Sequence, residues 1–141
     1  MVDAAAKRIG SKADLTLTLA DASGRLVASN IDFEGESDPL IVVTLPTDGK
    51  YLLTVADLQL GASNDHFYRL SVGDLPVVTG IYPLAIPAQA ESEVRLVGAN
   101  LPPNAIVRAK AGASGEAVVP VDPERFRARP IQDSVCEYVL A

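Results

Sequence analysis

Apolar residues recur at every second position in short runs, and turn signals break the runs. That pattern constrains the fold more than any other feature of the chain. Asp14-Leu15-Thr16-Leu17-Thr18-Leu19 puts three leucines on one face of an extended backbone and two threonines on the other. Asp21-Ala22-Ser23-Gly24 follows as a turn, and Arg25-Leu26-Val27-Ala28-Ser29 returns, so residues 14–29 read as a β-hairpin. Residues 30–39 form a polar, acidic loop. Leu40-Ile41-Val42-Val43-Thr44-Leu45 is strongly β-prone and predicts a strand buried on both faces or central in a sheet. Asp48-Gly49 predicts a tight hairpin connection from that run into Tyr51-Leu52-Leu53-Thr54-Val55. Phe67-Tyr68-Arg69-Leu70-Ser71-Val72 is a further strand.

A boundary falls at Gly73-Asp74-Leu75-Pro76, because Pro76 keeps the preceding strand from simply continuing. Strand patterns resume at residues 77–82 and 92–97, with weaker ones at 105–109, 116–121 and 135–140. Residues 2–9 are the one helix candidate. Short strands between turns, without a convincing amphipathic helix, predict an all-β chain of two small antiparallel β-sandwich modules, residues 1–74 and 75–141. The first half offers about five strands, whereas a closed sandwich wants about seven. The chain is therefore expected to be incomplete and to self-associate through exposed strand edges.

Composition removes several classes of function. No apolar run approaches the 18 residues of a membrane span. At 48% apolar residues the chain is too hydrophobic for a disordered acidic tail. A single cysteine, Cys136, excludes an internal disulfide framework and a cysteine-built zinc site, and a single histidine, His66, excludes a multi-histidine metal site. The net charge is −6, with 11 acidic and 6 basic side chains in residues 1–74 against 7 and 6 in residues 75–141. Such a chain repels a nucleic-acid backbone. Its one basic cluster, Arg125, Arg127 and Arg129, would share a strand face but is diluted by Asp122, Glu124 and Asp133. No basic segment followed by an apolar one marks the N-terminus as a secretory signal.

The strongest candidate site is the acidic loop. Asn30, Asp32, Glu34, Glu36 and Asp38 supply five oxygen-bearing side chains around Gly35, and calcium takes six to eight oxygen ligands. The spacing is not that of an EF-hand, and Asp14, Asp21 and Asp57 could contribute from neighbouring loops. The competing reading is a solvated loop that keeps a sheet edge soluble. His66 reads as a strand-end residue, since no Gly-x-Ser-x-Gly elbow marks a serine nucleophile. Cys136 reads as a small hydrophobe in an apolar strand. Gly112-Ala113-Ser114-Gly115 reads as a turn, because no lysine and helix follow it as in a phosphate loop. Tyr51, Phe67 and Tyr68 are expected to anchor the core; a ligand-binding face is the alternative.

The order of the motifs carries a resemblance. Asp14-Leu15-Thr16-Leu17, Asp21-Ala22-Ser23-Gly24-Arg25, Asn30-Ile31-Asp32, Pro46-Thr47-Asp48-Gly49-Lys50-Tyr51 and His66-Phe67-Tyr68-Arg69-Leu70 together resemble bacterial pre-peptidase C-terminal (PPC) domains across residues 9–73. The variant is similar to modules of large secreted or surface proteins of planctomycete-type bacteria. The family's first strands have no counterpart here; Ala4 to Gly10 resembles the tail of that region, which implies an N-terminally truncated domain. Val78-Thr79-Gly80-Ile81-Tyr82-Pro83, Val94-Arg95-Leu96-Val97-Gly98 and Asn100-Leu101-Pro102 resemble, more weakly, an IPT/TIG module of the immunoglobulin-like kind. The resemblances imply a jelly-roll, PPC-like sandwich followed by an immunoglobulin-like one. They imply a non-catalytic accessory module of a secreted or cell-surface bacterial protein, binding a protein or extracellular polymer, with calcium as its candidate cofactor. The alternatives are a structural spacer beside a catalytic domain encoded elsewhere and, more remotely, a hydrolase.

Overall fold

The computed structural model describes residues 1–33, 37–112, 116–122, 125–128 and 137–139. Among them run twelve strands: β1 Val2–Ala5, β2 Leu15–Asp21, β3 Leu26–Asn30, β4 Leu40–Ile41, β5 Tyr51–Asp57, β6 Arg69–Val72, β7 Val77–Tyr82, β8 Glu91–Ala99, β9 Ile106–Lys110, β10 Glu116–Val118, β11 Arg127–Ala128 and β12 Glu137–Val139. The fold is all-β, and the chain divides into two compact units, Met1–Gly73 and Asp74–Ala141.

The first unit is a sandwich of two three-stranded antiparallel sheets, ordered β4-β1-β6 and β3-β2-β5. Alternation builds it. Leu15, Leu17 and Leu19 point from β2 into the core and are buried, while Thr16 and Thr18 face outward. Val2, Ala4, Ala6 and Ile41 meet them from the opposing sheet, and Tyr51, Leu53 and Val55 pack on the core from β5. Burying the three leucines contributes roughly 1.5–3 kcal/mol each.

Residues 2–9 are not a helix. Val2–Ala5 is the central strand of its sheet, paired with β4 on one side and β6 on the other, and only Lys7–Ile9 turns, as a 3₁₀ helix. Alanine favours helix in isolation, but Ala4, Ala5 and Ala6 are fully buried here, and tertiary packing outweighs that weak preference. The 40–45 run is also shorter than its composition suggests. Only Leu40–Ile41 pairs, and Val42 and Leu45 are exposed. Asp48-Gly49 does not close a hairpin between adjacent strands either. β4 pairs with β1 and β5 with β2, so the connection crosses between the two sheets.

The second unit holds a four-stranded sheet, β11-β7-β8-β9, and the pair β10-β12. Among the described strands only β11 and β7 pair in parallel, and an isolated parallel bridge joins Ala88 to Ala111. Val94 and Leu96 alternate inward from β8 and pack with Val78, Ile81, Ala109, Ala117, Val119 and Phe126. The β7–β8 ladder shifts register between Val78 and Gly80. At the neighbouring Gly98 a Cβ would overlap the Val77 carbonyl oxygen, so the close approach requires glycine.

Candidate functional site

The acidic loop joins β3 to β4, and its two ends serve the backbone. Asn30 accepts the Leu40 N–H at Oδ1 (3.0 Å) and donates from Nδ2 to the Asp32 carbonyl (3.1 Å), tying the loop's exit to its entrance. Asp38 is 2% exposed. Its Oδ1 accepts the N–H groups of Ala6 (3.0 Å) and Lys7 (2.8 Å), and its Oδ2 accepts that of Arg8 (3.1 Å).

This geometry has a local cause. The Lys7–Ile9 turn begins at Ala6, which has no side chain able to cap it, and no acidic residue lies in its first turn. The orphan N–H groups at its start need an acceptor. Asp38 supplies it from 30 residues away, in the role an N-cap aspartate fills locally. Gly10 ends the turn in the left-handed region (φ 84°), with its N–H on the Lys7 carbonyl. Arg8 completes the cluster: its guanidinium lies 2.6 Å from buried Asp3 and 3.9 Å from Asp38. A buried carboxylate needs such partners to remain charged.

Of the five candidate ligands, Asn30 and Asp38 thus direct side-chain oxygens at backbone amides. Asp32 lies exposed between them, and Glu34 and Glu36 fall outside the described residues. Among the described residues no group of three or more His, Cys, Asp or Glu is placed to hold a metal ion. The described donors alone do not form a calcium ligand set.

The carboxylates from neighbouring loops are also engaged. Asp57 at the end of β5 accepts the N–H of Asp14 (2.8 Å) and those of Gly61 (2.8 Å) and Gln59 (2.9 Å). These bonds favour the charged form and hold its carboxyl below the ordinary value of 3.8, with a smaller contribution from His66. Asp21 accepts the hydroxyl and N–H of Ser23 and the N–H of Arg25, and is lowered for the same reason, the Ser23 hydroxyl first. Asp21 also sits at the far end of the β2–β3 hairpin. The register sets Ala20 opposite Leu26, and Asn30 lies four residues further, about 13 Å along the strand.

His66 packs its ring against Gly61 in the space a Cβ would take, and its Nδ1 pairs with Ser63 Oγ at 2.8 Å. The side chain is a loop clasp in this geometry. Of the three aromatics, only Tyr51 packs on the core, and its hydroxyl donates to the Thr47 carbonyl at 2.7 Å. Phe67 and Tyr68 do not anchor the core; both are exposed. The backbone there is set by Ser11, whose Oγ accepts the Phe67 N–H. Arg125 and Arg127 do not share a strand. Arg125 lies in a turn, its guanidinium 5.2 Å from the Phe126 ring, and β11 begins at Arg127. Arg129, Cys136 and residues 113–115 lie outside the described residues. A recess of about 110 Å³ beside Phe126, between Pro102 and Pro120, is well below the roughly 300 Å³ at which small-molecule sites begin.

The Asp3–Arg8–Asp38 cluster was not legible as a site. Its only sequence trace is a carboxylate and a guanidinium five residues apart within an alanine-rich segment that had to be buried. Comparison with known proteins returns no match: no family model fits the sequence, and no curated protein or solved structure is significantly similar to it.

Proposed function

We propose that the chain is a non-catalytic accessory region of a secreted or cell-surface bacterial protein that binds another protein or an extracellular polymer. The observation that carries this reading is the exposed apolar segment Phe67, Tyr68, Leu70 and Val72 at the end of the first unit. Exposed apolar side chains gathered in one segment favour contact with a partner. The sequence resemblance to PPC and IPT/TIG modules supports the same reading, as does the construction of the chain from two small β-units in succession. A calcium-assisted form of this function rests on Asp32 together with Glu34 and Glu36, since Asn30 and Asp38 serve the backbone.

Calorimetric titration with calcium, paired with melting in the presence and absence of chelator, tests the calcium-assisted form. A native-state ligand must raise the melting temperature. The expected shift disappears in Asp32→Ala. No heat and no shift leave a solvated loop. Binding itself is tested by surface capture on extracellular polymers such as collagen, with Phe67→Ser/Tyr68→Ser as the control; equal retention of the wild type and this variant would leave the spacer reading.

A further inference from the structure

We infer that the outer edge of β5 pairs antiparallel with the same edge of a second copy, about a twofold axis through Thr54. This goes beyond the accessory reading and stands on strand geometry alone. In the sheet ordered β3-β2-β5, β5 is an edge. Its seven residues follow β2 without a bulge, from Leu15↔Asp57 to Asp21↔Tyr51. Among the described residues, no strand other than β2 pairs with it. The opposite edge is protected: β3 carries a register shift at Leu19/Ala20, and Asn30 at its end bonds across to Leu40. Over residues 51–56 β5 lacks the side-chain features that blunt an edge. It contains no proline, lysine or bulge, and its first six residues, 51–56, are uncharged.

The occupant follows from register. Centring the pairing on Thr54 sets Leu53 opposite Val55, Leu52 opposite Ala56 and Tyr51 opposite Asp57. Directly opposed residues share a face. The inward residues Leu53 and Val55 therefore continue the apolar inner face into the second copy. Leu52, 66% exposed, gains Ala56 on the outer face. The one carboxylate of the strand, Asp57, meets a tyrosine and not another carboxylate, so a chain of net charge −6 can pair with itself here without opposing like charges. Thr54 meets Thr54, a favourable cross-strand pair. The contact is isologous and closes at two copies. An edge contact of this size lies at the small, weak end of protein interfaces.

Sedimentation velocity from micromolar to millimolar concentration tests the pairing. The wild type is expected to pass from monomer to dimer. Thr54→Lys opposes two ammonium groups at the axis and should weaken the dimer at least tenfold. Thr54 is exposed, so the melting temperature should hold. Thr54→Cys in a Cys136→Ser background supplies the second readout. Opposed Cα atoms in an antiparallel pair lie about 4.5–5.5 Å apart, within disulfide range. Mild oxidation should give a symmetric 54–54 dimer, and Asp48→Cys in the same background should not. A wild type that stays monomeric overturns the proposal, including a monomer that captures an extended peptide at this edge. So does a dimer that survives Thr54→Lys, or a Thr54→Cys variant that cross-links no faster than Asp48→Cys.

Discussion

The two sides of the first sandwich are finished differently. On the β3/β4 side, side chains lace the sheets: Asn30 bonds Leu40, and Asp38 takes three amides of the Lys7–Ile9 turn while Arg8 spans Asp3 and Asp38. β3 and β4 meet there, so β5 and β6 share the other side. On that side Leu70 and Val72 stand opposite Ala4 and Val2, on the core face of their sheet. Ala4 and Val2 are buried, yet Leu70 is 36% and Val72 61% exposed. One side is closed by buried polar chemistry. The other is left apolar and open. The difference teaches that polar side chains in this unit govern where the chain stops being available, and that availability begins where they end.

The largest effect should come from breaking the closed side. Asp38→Ala leaves three amide donors without their buried acceptor and the Arg8 guanidinium with Asp3 alone. Removing one partner of a buried charged network costs about 3–5 kcal/mol. Chemical denaturation should show that loss. Retention of wild-type stability would mean that the turn finds another acceptor and that the lacing is dispensable. Asn30→Ala should cost less, about 1–2 kcal/mol, since it strands a single amide, that of Leu40.

The central strand β2 was more legible in the sequence than the polar lacing of the closed side or the exposed aromatics of the open one. Leu15, Leu17 and Leu19 announced their buried face through alternation, a period-two signal local to the strand. The hairpin from residue 14 to 30 follows from that signal together with the Asp21-Ala22-Ser23-Gly24 turn. The first strand did not, because Ala4 to Ala6 carry no period and are buried only by what surrounds them. Asp38 looked like a ligand among ligands. Its role depends on an amide cluster 30 residues earlier, and no local pattern encodes such a pairing. The same holds for the 40–45 run, where β-propensity was real but only Leu40 and Ile41 met a partner strand.

Acid should sharpen the contrast at the open side's polar end. Asp57 there holds the amides of Asp14, Gln59 and Gly61, and its carboxyl lies below 3.8 in the folded state. A depressed folded value gives stability that is present above the unfolded value and lost as pH falls through the folded one. Melting temperature should therefore decline below about pH 4. Asp57→Asn should lower it at neutral pH and flatten that decline. An unchanged slope would place the acid sensitivity elsewhere.

The smallest effect is the most diagnostic. Val2 and Val72 face each other across one rung of the β1–β6 ladder, on the same side of the sheet. Valine to threonine keeps the shape and replaces a methyl with a hydroxyl, so the two substitutions differ in whether water can reach that hydroxyl. At Val2, 6% exposed, the hydroxyl is buried without a prepared partner and should cost about 1–3 kcal/mol. At Val72 water solvates it, and stability should stay within about 0.5 kcal/mol. Measured at low protein concentration, near-zero loss for Val72→Thr beside a clear loss for Val2→Thr identifies a core face open to solvent on one side only. A comparable loss at both would mean that Val72 is covered in solution. If that loss at Val72 appeared only as concentration rises, the cover would be a second chain.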